Sequence, residues 1–212
     1  MAYAQAPAAP MGGEYPVQLT VTGEREINRL WGIPFLGMFV RGIMAIPHIL
    51  ILWLLAICMV VWIIVGWIPI LLLGRQASIF VKLLTELIQR GVRVMGYVAF
   101  LLPGGYPPLE PGAPTPVDTR IDVEGRSMNR LWGIPLFGFY ARIFALIPHA
   151  IVLGILAIVV YLSFLVLWIP ILFTGKYPEA FANFYTGYLR YYARVGAYAL
   201  LLPVPYPPFS LS

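Results

Sequence analysis

Charge is scarce in this chain. Only 11% of its 212 residues are Asp, Glu, Lys or Arg, while 60% are hydrophobic. A soluble globule carries about a quarter of its residues charged. With a mean hydropathy of +0.83, this composition cannot cover a water-facing surface, so it implies an integral membrane protein. Formal charge is missing altogether from residues 42–74 and 143–175, two stretches of 33 residues each. At ~1.5 Å per helical residue each stretch gives ~50 Å of helix against ~30 Å of hydrocarbon, room for one span.

Other absences narrow the chemistry. Cys58 is the only cysteine, which excludes an intrachain disulfide and leaves a cysteine metal site unsupported. Zinc-ligand spacing, a phosphate-cradling glycine loop and a nucleophile motif are all missing. Glu86 and Glu179 have no neighbouring His, Ser or second carboxylate in sequence, so no acid–base pair is visible. The expectation is a non-enzymatic protein without a cofactor. Residues 1–14 lack a basic start and an apolar stretch. Their Ala, Pro and Gly content predicts a disordered tail, with the first membrane segment serving for insertion. A net charge of +5 and a pI near 9.4 do not form a solvated basic run, so a membrane surface explains them better than nucleic acid.

What the chain does contain is a repetition. Asn28-Arg29-Leu30-Trp31-Gly32-Ile33-Pro34 returns 101 residues later as Asn129-Arg130-Leu131-Trp132-Gly133-Ile134-Pro135. The register holds through Arg41/Arg142, Pro47-His48/Pro148-His149 and Trp67-Ile68-Pro69/Trp168-Ile169-Pro170. This predicts a tail at 1–14 and two membrane repeats, 15–109 and 110–212. The Pro- and Gly-rich stretch 103–116 reads as an extended linker between them.

The expected fold is an all-α membrane protein. In each repeat an interfacial helix (28–45, 129–146) precedes a transmembrane helix with Pro47 or Pro148 in its first turn. An amphipathic, Arg-bearing helix of about 25 residues follows the Gly74-Arg75 or Gly175-Lys176 turn. Lys82, Glu86, Gln89 and Arg93 form one stripe, and Asn183, Thr186, Arg190, Arg194 and Tyr198 the other. Alternating residues at 16–22 and 120–124 predict short extramembrane strands that pair. His48 and His149 stand 19 residues before Trp67 and Trp168, which places histidines and tryptophans at opposite interfaces. Whether the Arg-bearing helices lie in the interface or return across the bilayer stays open, with two parallel hairpins preferred. Counting Arg25, Arg29, Arg41, Arg120, Arg126, Arg130 and Arg142 with the flanks, against Arg75, Lys82 and Lys176 at the turns, favours cytoplasmic termini in a bacterial cytoplasmic membrane.

Pro148-His149, Thr174-Gly175-Lys176-Tyr177-Pro178, Arg190, Arg194 and the closing Tyr206-Pro207-Pro208-Phe209 together resemble a bacterial membrane family known only as a domain of unknown function. The resemblance covers about 16–109 and 115–212. It implies fold and location but no activity. The first copy departs from it, with Gly74-Arg75-Gln76-Ala77 at the turn and Leu109 in place of Phe209, so unequal function is expected at the divergent turns.

Arg90, Arg93, Arg190 and Arg194 are candidate ligands for anionic lipid headgroups, since guanidiniums bind phosphate oxygens in pairs; the alternative is that they snorkel and anchor the helix. Trp31, Trp67, Trp132, Trp168, His48 and His149 are expected interface anchors, although a symmetric histidine pair also allows haem or pigment ligation. Tyr106, Tyr206 and Phe209 are candidate docking positions for a partner. The reading is a structural or accessory subunit whose partners are lipid, other membrane subunits or itself. The alternative is a small transporter or channel built from the repeat.

Overall fold

The computed structural model describes residues 15–22, 25–33, 35–123 and 125–212; the expected tail lies outside them. The charge-free stretches become helices. α1 (Leu36–Met44) leads into α2 (Ile46–Val65), which Gly66 separates from α3 (Trp67–Leu73). The break has a local cause: the Trp62 indole lies on Gly66, where a Cβ would stand 2.5 Å from Trp62 Cδ1. In the second half Ser163 and Leu167 hold these positions. After α5 (Phe137–Ala145), α6 (Ile147–Thr174) runs unbroken through Pro170. Both runs stop at a left-handed glycine, Gly74 at φ 66° and Gly175 at φ 67°, the usual way to end a helix.

α2 and α6 are long and apolar enough to cross a membrane. α2 buries only a seam of Ala45, His48 and Trp62, with Leu52, Leu55 and Met59 half-buried between them. The rest of its surface is exposed and apolar, with Leu50, Trp53 and Leu54 each more than 60% exposed. α6 repeats this through Ile151, Ile155, Ile158, Leu162 and Leu165.

α4 (Ser78–Val94) and α7 (Glu179–Ala199) run back along the spans. Arg90 of α4 meets His48 at the start of α2, and Gln76, just ahead of α4, sits beside Trp62 near the end of α2. Its polar stripe is turned inward, toward a two-stranded antiparallel sheet of β1 (Val17–Val21) and β2 (Val117–Ile121). Leu84, Ile88 and Val92 of α4, Leu189 and Ala193 of α7, and Val17, Leu19 and Val117 of the strands form the shared core. β2 begins earlier than the expected 120–124. Its last ladder-edge bond runs from the Asp122 N–H to the Pro16 carbonyl, and Pro16 has no N–H with which to extend the pairing.

The expected single helices over 28–45 and 129–146 are each two pieces. Asn28 and Asn129 cap short 3-10 turns, Arg29–Gly32 and Arg130–Gly133, by accepting from the Leu30 and Leu131 N–H groups. The prolines that follow hold Ile33 and Ile134 extended. Phe35 and Leu136 then reverse the chain at φ 62° and 63°.

Contacts recur 101 residues apart. In the ladder Gln18 faces Arg120 and Leu19 faces Thr119. Replacing each of these residues by the one 101 positions away returns the same pairs, which is the pattern of a local twofold axis. The 3-10 turn of each half packs on the span of the other. A Cβ on Gly32 would stand 2.4 Å from the Leu172 backbone nitrogen, and one on Gly133 2.2 Å from that of Leu71. The Ile27 N–H donates to the Gly175 carbonyl at 3.0 Å and the Met128 N–H to the Gly74 carbonyl at 2.8 Å. One departure is instructive. Tyr97 precedes Pro103 by six residues, whereas Tyr198 precedes Pro203 by five. The additional residue is absorbed by a π-helical turn, Met95–Ala99, that α7 lacks.

Candidate functional site

Where α2 and α6 begin, polar groups are spent on the chain itself. Arg41 Nη1 donates to the Tyr97 and Leu102 carbonyls at 3.0 and 3.1 Å, and Arg142 Nη1 to those of Tyr198 and Leu202, both at 2.9 Å. Each guanidinium lies between two rings, Trp31 and Tyr97 or Trp132 and Tyr198. A cation set on the last carbonyls of a helix also meets the negative end of its dipole. Burial pushes Arg142 down to about 10 and Arg41 below its ordinary value.

His48 and His149 are fully buried and do not face headgroups as expected of interface anchors. His48 Nε2 lies 3.0 Å from the Pro107 carbonyl and Nδ1 lies 3.0 Å from Arg90 Nη1. Because guanidinium only donates, Nδ1 accepts and Nε2 carries the proton. His149 Nδ1 meets the Tyr191 hydroxyl at 2.5 Å. Tyr106 packs on His48; Tyr206 packs on His149, and Phe209 stacks on it at 4.0 Å. The Tyr-Pro-Pro segments therefore close over the histidines of their own chain, which is why both rings leave the surface. Trp31 and Trp132 stack on the arginines above. Trp67 and Trp168 donate to the Ile64 and Leu165 carbonyls.

The four candidate arginines also point inward. Arg90 binds Glu86 at 2.8 Å and the Leu109 carbonyl at 2.9 Å. Arg190 donates to the Leu19 and Leu211 carbonyls, and Arg194 to those of Val17 and Ser212. Arg93 is 2% exposed, with Nε and Nη1 unpartnered. Arg190 and Arg194 fasten strand β1 and the closing segment to α7.

Exposed cations gather instead where the spans turn, at two turns that the antiparallel ladder sets at opposite ends of the molecule. Arg29 lies against Gly175 and Arg130 against Gly74; Arg25 pairs with Glu179 at 2.7 Å. Arg25 and Arg29 therefore join Lys176, and Arg126 and Arg130 join Arg75 and Lys82, because each half's flank crosses to the other half's turn. This removes the basis of the seven-to-three charge count.

Here a cavity of about 520 Å³ opens beside the Gly74-Arg75-Gln76-Ala77 turn. Arg75, Lys82 and Arg126 line it, with Pro69, Leu73 and Val81 on its apolar side and no Asp or Glu among the described residues of its wall. The N-terminus of α4 also opens on it. No side chain caps that helix and no acid stands in its first turn. Gln76, in the wall, is held by Trp62: its amide oxygen accepts from the indole N–H at 2.8 Å and its nitrogen donates to the Gly66 carbonyl at 2.9 Å.

Positions 101 residues along differ in kind. Ser78 becomes Glu179, which pairs with Arg25, the counterpart of Arg126, and whose carboxyl Arg25 holds below the usual range. Gln76 becomes Tyr177, 1% exposed, its hydroxyl donating to the Phe100 carbonyl at 2.6 Å. Lys82 becomes Asn183. Thr186 donates to the Ala182 carbonyl, whereas the buried Oγ1 of Thr85 in the pocket wall has no partner. The turn sequence signalled this divergence, but Lys82 and Arg126 were visible only as separate charges.

The fold thus defines a mostly helical protein with two helices of membrane-spanning length and composition and a small two-stranded sheet. A family model described as a domain of unknown function (DUF4389) matches residues 138–210, from α5 through the closing Tyr-Pro-Pro-Phe segment. That stretch is narrower than the resemblance drawn from sequence and lies within the second half. No curated protein and no solved structure matches the chain.

Proposed function

We propose that this chain is a multi-pass protein of the bacterial cytoplasmic membrane, built from two tandem copies of one unit, 15–109 and 110–212, and that it works without catalysis as a structural or accessory subunit. The observation that carries this reading is the surface of α2 and α6. Each buries a narrow seam and leaves apolar side chains exposed around the remainder. Exposed apolar area of that extent belongs against lipid or another membrane subunit. The self-mapping ladder and the reciprocal Gly32 and Gly133 contacts support the tandem copies.

The hairpins run in opposite directions in this reading, with the two turns at opposite membrane faces, which the antiparallel ladder and the Tyr177–Phe100 contact support. Arg75, Lys82, Arg126 and Arg130 at the first turn outnumber Arg25, Arg29 and Lys176 at the second, which favours the first turn at the cytoplasmic face. The closing segment, which follows Pro203 of the first-turn cavity and stacks Phe209 on His149 at the start of α6, then lies on the first turn's side, the orientation drawn from sequence. Extraction from native membranes in a mild detergent, followed by sizing, tests the subunit role. An assembly larger than the chain in its detergent belt is expected; a solitary monomer in several mild detergents overturns it.

A further inference from the structure

We propose that the cavity at the first turn binds a phosphate group, either as a free phosphomonoester or as the headgroup of an anionic lipid. Three cations of the wall come from two separate chain segments: Arg75 and Lys82 from the turn and α4, Arg126 from the segment after β2. They converge with no carboxylate among the described residues of the wall. Asp122, outside the wall, stands 3.7 Å from Arg126 and is 70% exposed, a loose pair that leaves the guanidinium able to turn to a stronger anion. The uncapped α4 terminus adds free backbone N–H groups and the positive end of a 17-residue helix. The Thr85 hydroxyl supplies a further donor whose oxygen has no partner. About 520 Å³ exceeds the space one phosphate needs, and Pro69, Leu73 and Val81 offer an apolar wall for the body that carries it.

The second half serves as an internal control. It keeps a cation at Arg25 and at Lys176, but Glu179 neutralises the first, the first turn of α7 is acidic, and Tyr177 stands where Gln76 stood. The same scaffold thus carries one neutralised turn and one left basic and open. This inference does not rest on the accessory-subunit reading, because the pocket is formed within a single chain.

Full-length protein in detergent is titrated with inorganic phosphate and glycerol 3-phosphate by calorimetry. In parallel it is equilibrated with phosphatidate or phosphatidylcholine and assayed for retained lipid by native mass spectrometry. Saturable binding of a phosphate compound, or retention of one phosphatidate over phosphatidylcholine, is expected, and the arm that responds identifies the source. Arg75→Gln combined with Arg126→Gln is expected to weaken that binding at least tenfold with an unchanged melting temperature. Arg25→Gln combined with Lys176→Gln leaves it within twofold. Absence of binding in both arms overturns the proposal, as does an equal loss in the two double variants.

Discussion

Replacing Arg142 tests how the helices are locked to each other. Its Nη1 makes two hydrogen bonds to backbone carbonyls at 2.9 Å, each worth about 1.5–3 kcal/mol when the donor is charged. The guanidinium lies 4.4 Å from the Tyr198 ring and 5.1 Å from the Trp132 ring, adding about 2 kcal/mol at a desolvated site. Burying the charge costs several kcal/mol, a cost expressed in the fall of its pKa to about 10. Truncation to alanine recovers that cost but strands two buried carbonyls and opens the slot between the rings. The expected net loss for Arg142→Ala is about 3–5 kcal/mol. Arg142→Lys keeps the charge without the planar fork and is expected to lose about 2–3 kcal/mol. Thermal and denaturant unfolding in detergent, followed by tryptophan fluorescence, measures both. If Arg142→Ala lost less than 1 kcal/mol, or Arg142→Lys matched the wild type, the guanidinium would not be what joins α5 to the end of α7.

Gly133→Ala sets a Cβ 2.2 Å from the Leu71 nitrogen and should cost about 2–3 kcal/mol by overpacking. Gly154→Ala, with nothing within 4 Å of the added carbon, should gain about 0.5–1 kcal/mol. Equal effects in the same unfolding assay would refute the exchange of turns between halves. Deleting Ala99 restores the five-residue spacing of the second half and should leave the melting temperature unchanged or raised. Deleting Leu87 rotates the rest of α4 by about 100° and should prevent folding. Burial raises the Tyr177 hydroxyl well above its ordinary pKa of 10 in the folded chain. The stability it contributes is therefore complete below pH 10 and lost as pH rises beyond it, by about 1.4 kcal/mol per unit. Tyr177→Phe should be about 1 kcal/mol less stable at pH 8 but fall less steeply above pH 10; parallel pH profiles would contradict this.

Much of the fold is legible along the chain. The charge gaps delimit the spans, Gly74 and Gly175 end them, and the polar stripes of α4 and α7 give the faces that turn inward. The π-helical turn was also readable, since Tyr106 and Tyr206 lie 100 residues apart while the preceding motifs lie 101 apart. What a linear reading misses is exchange. Arg25 and Arg126 look like neighbours of their own repeats, yet each folds onto the other half's turn, which gathers the exposed charge at two turns at opposite ends of the molecule. The histidines mislead for a related reason: Pro-His at a helix start reads as an interface until Tyr106, Tyr206 and Phe209 are seen to close over the rings. The open pocket depends on residues that are ordinary one at a time. Ser78 and Gln76 matter because Glu179 and Tyr177 are absent there.

The arrangement of the hairpins in the membrane is tested most directly by single cysteines at Ser78, Thr174 and Ser210 in a Cys58→Ser background, probed in intact cells with a membrane-impermeant maleimide. Ser78→Cys and Ser210→Cys are expected to stay unlabelled until the cells are opened, and Thr174→Cys to label at once. Labelling of Ser78→Cys and Thr174→Cys from the same side would contradict two antiparallel hairpins with the first turn in the cytoplasm.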